Sequence, residues 1–269
     1  MSAAFAEIAA HIQARSGLSL GPEKLYLLET RLAPILRQEK LADLKALAQN
    51  LGRNETLSRA VVEAMTTNES LFFRDGTPFQ HLRDVALSQL HRARPPGQKL
   101  RVWSAAASSG QEAYSLAMTA LEVPRLVEDR GVEIVGTDIA RAPLERARAG
   151  LYSAFEVQRG LTGAQLARHF TREGEQWRAS PGLRAMVSFR EWNLLSSLAP
   201  LGVFDIVFCR NVLIYFDPPT KARALAAIRR QMAPDGLLYL GASETTMGIA
   251  PDMVRAAAGC GVYALTEAA

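Results

Sequence analysis

The sequence predicts an α/β protein: a doubly wound, largely parallel sheet preceded by a small all-helical unit and closed by an antiparallel hairpin. Three observations carry this reading. Apolar residues keep helical spacing throughout residues 5 to 65. After residue 78, short apolar strands alternate with amphipathic helices. The last two apolar stretches, MVRAAAG and GVYALTE, are short, close together and suited to pair as a hairpin.

Within the helical unit Leu25, Leu28, Leu32, Ile35 and Leu36 form one stripe, and Leu41, Leu44, Leu47 and Leu51 form another. Gly21-Pro22 opens a helix that Pro34 is expected to bend. Lys24 and Arg31 are seven apart and share a face, with Arg37 and Lys40 further along. That face is a candidate docking surface for an acidic partner, although a solvated helix face has the same spacing.

The predicted sheet strands are KLRVWSAA (99–106), EIVGTDI (133–139), MVSFREWNL (186–194), FDIVFCRN (204–211) and GLLYLGAS (236–243). Helices are expected at EAYSLAMTALEV, APLERARAG and PPTKARALAAIRRQM, the last ending at a PDG turn. QWRA and LRAM flank SPG at 180–182, which predicts a small antiparallel flap within 172–190 or, equally, an irregular loop. The expected division is a helical domain at 1–65, a linker and lid at 66–78, and an α/β domain at 79–269.

Composition narrows the class. A chain of 269 residues with 48% hydrophobic and 22% charged residues can bury a sizeable core. No apolar run approaches the roughly 18 residues that span a bilayer. The opening MSAAFAEIAAHIQARSG carries polar and acidic residues where a signal peptide would be continuously apolar, so a cytoplasmic location is expected. Cys209 and Cys260 have no CxxC spacing, and His11, His81, His91 and His169 are scattered. Neither a disulfide framework nor a metal centre is predicted. Lysine and arginine exceed aspartate and glutamate by 31 to 27, too little to select nucleic acid, anionic lipid or an acidic protein.

In an open parallel sheet ligands bind beyond the carboxyl ends of the strands. The first strand ends in SAAASSG, whose small side chains let a backbone turn approach a ligand before the helix near Gln111. Asp138 ends the second strand, where a carboxylate suits ribose hydroxyls or a helix cap. Asn193 and Leu194 follow the third strand and suit an adenine edge and face. Arg210 and Asn211 emerge from the buried fourth strand and need polar partners. Together these point to an adenosine-containing cofactor. The missing GxGxxG and the carboxylate of Glu112 at the first helix disfavour a pyrophosphate and favour the cationic S-adenosylmethionine.

One stretch, TTNESLFFRD at 66–75, follows neither a helical nor a strand period. With RVWSAAASSGQEAYSLAM, GTDIARAPLERARAGLY, FCRNVLIYFD and LLYLGASE it resembles the chemotaxis receptor methyltransferases, the CheR family, over about residues 20 to 265. The resemblance implies a helical N-terminal domain and a Rossmann-like class I methyltransferase sheet with a small antiparallel insertion. It also implies a protein-glutamate O-methyltransferase that uses S-adenosylmethionine, gives S-adenosylhomocysteine, needs no metal and acts on cytoplasmic helical domains of chemoreceptors.

Carried over by position, the resemblance implies that Asn68, Ser70, Arg74, Glu112, Asp138, Asn193, Leu194, Arg210 and Asn211 contact the cofactor. It implies that Arg74 and Tyr215 lie beside the methyl transfer. TTNESLFFRD is then expected to link the two domains over the cofactor, with Phe72 and Phe73 as an apolar lid or as interdomain core. The chain departs from the family at Gln111, Ala113 and Tyr114, where EEPY is usual, and at Ala106-Ala107, where Gly-Cys is usual; Glu112 is retained. Two other readings stand beside it. One is a non-catalytic module that binds S-adenosylmethionine or its demethylated product. The other is a nucleic-acid amino-methyltransferase, suggested by the DPP at 217–219, which a proline-started helix capped by Asp217 explains more economically.

Overall fold

A computed structural model describes residues 3–123, 126 and 131–266. The chain forms two compact units, one of residues 1–67 with 215–221 and one of residues 68–214 with 222–269. Glu267 of the expected closing hairpin lies outside the described residues.

The smaller unit contains α1 (Ala3–Ser16), a 3₁₀ turn (Pro22–Lys24), α2 (Leu25–Gln38), α3 (Leu44–Leu51) and α4 (Glu55–Met65). Its starts are chemically specified: the Asp43 carboxylate accepts the Ala46 N–H at 2.8 Å, and Asn54 Oδ1 accepts that of Leu57 at 3.0 Å. Phe5, Ile8, Ile12, Leu28, Leu32, Leu47 and Val61 form its core. Each such side chain contributes roughly 1.5–3 kcal/mol by leaving water. The predicted leucine stripes are this core face, and Pro34 lies inside α2. The segment 215–221 joins through Ser19 N–H to the Tyr215 carbonyl at 2.9 Å and Gln13 Nε2 to Asp217 Oδ2 at 2.7 Å. Asp217 Oδ1 also accepts the Thr220 N–H at 2.9 Å, so the DPP triplet is a capped helix start.

The larger unit begins with α5 (Thr77–His81), which runs through a π turn (Leu82–Ala86) into α6 (Leu87–Ala93). The alternating part follows as β1 (Leu100–Ala105), α7 (Gln111–Leu121), β2 (Val132–Asp138) and α8 (Arg141–Ala149). Next come β3 (Leu151–Ser153), α9 (Ala154–Gln158), α10 (Gly163–His169), β4 (Phe170–Glu173), β5 (Gln176–Ala179) and α11 (Pro181–Ala185). The chain then returns through β6 (Val187–Glu191), β7 (Phe204–Cys209), α12 (Pro218–Arg229, counted with this unit from Ala222), β8 (Met232–Leu240), β9 (Met253–Ala257) and β10 (Val262–Leu265).

The main sheet has seven strands in the order β6-β2-β1-β7-β8-β10-β9. The first five are parallel, and β10 runs antiparallel to both β8 and β9. Every residue of β7 is buried, as expected of a central strand covered on both faces.

Two local expectations are corrected. LRAM is not a flap strand: Ser180 Oγ accepts the Leu183 N–H at 3.3 Å and Pro181 sits in the first turn, so Leu183 to Ala185 belong to α11. The flap is instead a three-stranded sheet ordered β3-β5-β4, with QWRA in the middle. The PDG at 234–236 lies within β8, not between helix and strand. It is a bulge, because Phe204 pairs with Met232 while Ile206 pairs with Leu237.

Candidate active site at the carboxyl end of the sheet

The turn after β1 is built from strained backbone. Ala106 (φ 59) and Ser108 (φ 50) are left-handed without being glycine. Gly110 (φ 92) has no room for a side chain, since a Cβ would lie 2.8 Å from that of Ala147. Hydrogen bonds hold the turn in place. Ala107 N–H donates to the Thr137 carbonyl and Ser108 N–H to Asp138 Oδ2, both at 2.8 Å. Ser108 Oγ donates to the Asn68 carbonyl at 2.8 Å. Asp138 is therefore a hub: Oδ1 accepts the Ala140 N–H at 2.9 Å, and its carbonyl accepts that of Trp192 at 2.8 Å. The carboxylate stands at the carboxyl end of β2 and braces the loop before the helix at Arg141–Ala149, whose N-cap residue Ala140 has no side-chain cap bond.

Beyond that turn, α7 presents Glu112 in its first turn. Its Oε1 accepts the Ser104 hydroxyl at 2.8 Å and its Oε2 faces Arg210 Nη1 at 3.4 Å. Burial pushes the Glu112 carboxyl above the ordinary glutamate range, against the pull of Arg210 and Ser104, and nearby Glu244 adds to the rise. A raised carboxyl marks a place where a cationic group would be welcome.

Arg210 has a side chain only 1% exposed. Its Nη2 donates to Asp75 Oδ2 at 2.5 Å and to the Arg74 carbonyl at 3.0 Å, and its guanidinium lies 5.8 Å from the Phe79 ring centroid. Its Nε is buried without a partner among the described residues. A buried donor left unmade costs about 1–3 kcal/mol, which a ligand or an ordered water would recover. Arg210 thus ties the end of β7 to the NESLFFRD segment, where Phe73 (φ 48) and Asp75 (φ 68) are also left-handed.

In that segment Phe72 is 1% exposed and packs edge-on against Tyr152 at 5.0 Å and Phe170 at 5.5 Å, so it belongs to the core of the larger unit and is not a lid. Phe73 is partly buried against Phe79 at 5.2 Å. Asn68 is exposed and Ser70 and Arg74 are half-buried. The Arg74 guanidinium enters no ion pair or hydrogen bond among the described residues, so it is available to a ligand.

After β6, Asn193 Oδ1 accepts the Leu195 N–H at 2.9 Å and its carbonyl accepts Ser196 Oγ at 2.7 Å, a compact turn that leaves Leu194 half-buried. Asn211 (φ 59) follows Arg210 at the end of β7. Seven of the predicted cofactor residues, Asn68, Arg74, Glu112, Asp138, Asn193, Arg210 and Asn211, are therefore bonded into, or directly follow, the loops at the carboxyl ends of β1, β2, β6 and β7. Tyr215 belongs to the smaller unit. Of the predicted docking residues, Arg37 and Lys40 are exposed, while Arg31 Nη1 donates to the carbonyls of Met65 at 3.0 Å and Thr66 at 2.9 Å, and Lys24 Nζ to that of Ser19 at 3.4 Å.

Two residues at this end were missed in the sequence. Asp75 holds Arg210, and Glu244 collects four backbone N–H groups. The available signals were an acidic residue closing NESLFFRD and another closing GASE just beyond a strand.

A strained turn, a buried carboxyl and a buried arginine at the ends of a 3-2-1-4-5-7-6 sheet, counting only main-sheet strands, define a class I S-adenosylmethionine-dependent methyltransferase. Among the described residues no group of three or more His, Cys, Asp or Glu side chains is placed to hold a metal ion. Family profiles cover nearly the whole chain: the CheR methyltransferase all-alpha domain matches residues 3–66, and the CheR methyltransferase SAM binding domain matches residues 68–258. The chain belongs to the CheR methyltransferase family. It is 41% identical to chemotaxis protein methyltransferase Cher2 of Pseudomonas putida, over 92% of each chain. It is 44% identical to chemotaxis protein methyltransferase 1 of Pseudomonas aeruginosa, over 85% of each, and 42% identical to the chemotaxis protein methyltransferase of Vibrio parahaemolyticus, over 91% of this chain and 90% of that one.

Proposed function

We propose that this protein transfers the methyl group of S-adenosylmethionine to glutamate side chains in the cytoplasmic helical part of chemoreceptors, leaving a glutamate methyl ester and S-adenosylhomocysteine. The observation that carries the reading is the two-profile family match across residues 3–66 and 68–258, joined to a polar cluster at the ligand end of the sheet. The residues suit the donor: Glu112 offers a buried carboxylate to a cationic group, Arg210 has a donor to spare, and Asp138 stands where a ribose is expected.

When bound, S-adenosylmethionine supplies an electrophilic methyl on a positively charged sulfur. The acceptor glutamate has a reference pKa of about 4.3 and is already ionised at neutral pH, so the protein supplies no general base. Its task is alignment of the carboxylate oxygen with the methyl carbon and exclusion of water from two charges that cancel as the bond forms. Arg74, with an uncommitted guanidinium, orients the incoming carboxylate or the methionine end of the donor. Too tight a pairing with the acceptor would stabilise the ground state over the transition state, in which that charge disappears, so its role is positioning. Tyr215 is the second candidate for this role, on family resemblance alone. Docking of an acidic receptor helix falls to the basic residues on and beside α2, led by exposed Arg37 and, in the turn after the helix, Lys40, with Lys24 and Arg31 as further candidates.

The test is transfer of radiolabelled methyl to membranes bearing the host's receptors, followed by alkali treatment. Base-labile label that Arg74→Ala abolishes supports the reading. Label that resists alkali, or none despite measured S-adenosylhomocysteine binding, overturns it.

A further inference from the structure

Glu244 is buried beyond the end of β8, and among the described residues its carboxylate is bonded by backbone groups. Oε2 accepts the N–H of Asn211 at 2.8 Å and of Gly241 at 2.7 Å; Oε1 accepts that of Val212 at 3.0 Å and of Ile214 at 3.2 Å. Four donors fill the roughly four acceptor sites of an ionised carboxylate. Three of them lie in the loop that immediately follows Arg210.

The first, Asn211, is left-handed, a conformation that costs a non-glycine residue of order 1–3 kcal/mol and persists only where its surroundings impose it. Charge-assisted bonds, about twice as strong as neutral ones, are suited to impose it. The fit leaves no slack. A Cβ at Gly241 would stand 2.7 Å from Glu244 Oε2, 2.9 Å from Asn211 Nδ2 and 3.0 Å from the Asn211 backbone nitrogen.

We propose that Glu244 is a positioning residue of the cofactor site: its carboxylate fixes the left-handed backbone of Asn211 and thereby aims the Asn211 side chain at the cofactor. The proposal rests on the reading of Asn211 as a cofactor contact. Glutamine at 244 would keep the shape but turn an NH₂ group toward one of the two donor pairs, whichever way the amide lies. That pair loses its acceptor and gains a donor facing donors.

The experiment is calorimetric titration with S-adenosylhomocysteine of the wild type, Glu244→Gln, Asn211→Ala and the double variant, all at a temperature well below each melting transition. Each single change is expected to weaken binding about tenfold, and the double variant to bind no more weakly than the weaker single, because both remove one contact. A merely structural glutamate would lower the melting temperature and leave the low-temperature affinity where it was. Wild-type affinity in Glu244→Gln, or losses that add in the double variant, would overturn the proposal. Wild-type affinity in Asn211→Ala overturns the placement of Asn211 itself and the proposal with it, a failure visible in that single variant alone. Should Glu244→Gln not fold, Glu244→Asp draws the same carboxylate back by one methylene; it is expected to weaken binding without adding to Asn211→Ala, and unchanged affinity overturns the proposal.

Discussion

The two ends of the main sheet use charge in opposite ways. At the amino end, Arg94 Nε donates to Asp205 Oδ1 at 2.6 Å while its two terminal nitrogens grip Asp235 at 2.7 Å each. Asp205 Oδ2 accepts the Arg101 N–H at 2.7 Å, and the Arg101 side chain reaches Glu133, the Val203 carbonyl and the Leu201 carbonyl. The polar groups named here are closed on one another. At the carboxyl end, Arg210 keeps an unpartnered Nε and Glu112 sits above its ordinary range through burial. Five of the six left-handed non-glycine residues among those described, Phe73, Asp75, Ala106, Ser108 and Asn211, gather in the loops at this end. One end spends its charges on stability, and the other holds strain and spare hydrogen-bonding capacity for a ligand.

The comparison breaks most sharply at Asp205. Asp205→Ala leaves Arg94 paired with Asp235 alone and removes the acceptor of Arg94 Nε and of the Arg101 N–H, and should cost about 3 kcal/mol of stability with cofactor affinity retained in the cold; thermal melting and titration read the two quantities. Arg74→Ala should do the reverse. Methyl transfer should fall about a hundredfold, equivalent to about 2.7 kcal/mol of activation free energy, with an unchanged melting temperature, as steady-state kinetics would show.

The pH dependence should also differ in sign. Hydrogen bonding to Arg94 holds the Asp235 carboxyl below the ordinary aspartate range, so its contribution is present above the unfolded pKa and fades as acid takes the pH through the lower folded value. Glu112, raised by burial, contributes most below the ordinary glutamate pKa and loses that contribution as pH rises through its folded value. The ammonium group of a bound S-adenosylhomocysteine favours its ionised form, so affinity for that ligand should increase with pH over that window in the wild type and flatten in Glu112→Gln. Titrations across the range measure this. The smallest effect belongs to Arg31→Ala, which removes bonds to two carbonyls at the end of α4 and should cost about 1 kcal/mol in melting experiments.

Much of this contrast was legible in the sequence because period and position encode it. The leucine stripes foretold the helical core, the alternating apolar runs foretold the sheet, and the rule that ligands lie past strand ends singled out Glu112, Asp138, Arg210 and Asn211. What stayed hidden depends on contacts between distant residues. LYS at 151–153 forms β3 only because Gln176–Ala179 pairs with it, and three residues after a helix carry no strand signal of their own. Phe72 is undecided between lid and core until Tyr152 and Phe170 are seen around it. Glu244 lies 33 positions from the Asn211 backbone that it binds, and no local pattern reports a carboxylate surrounded by amides. Gly160 is similar: it is left-handed (φ 110), and a Cβ there would lie 1.9 Å from the Phe72 carbonyl oxygen.

The division of labour between the two ends is tested most directly by melting temperature and S-adenosylhomocysteine affinity measured together on Glu112→Gln and Asp205→Asn. The account predicts crossed losses: Glu112→Gln binds about tenfold or more weakly yet melts with the wild type, while Asp205→Asn melts several degrees lower, as about 2–4 °C per kcal/mol implies, yet binds with wild-type affinity when folded. Loss of affinity in Asp205→Asn at low temperature, or wild-type affinity in Glu112→Gln, would contradict it.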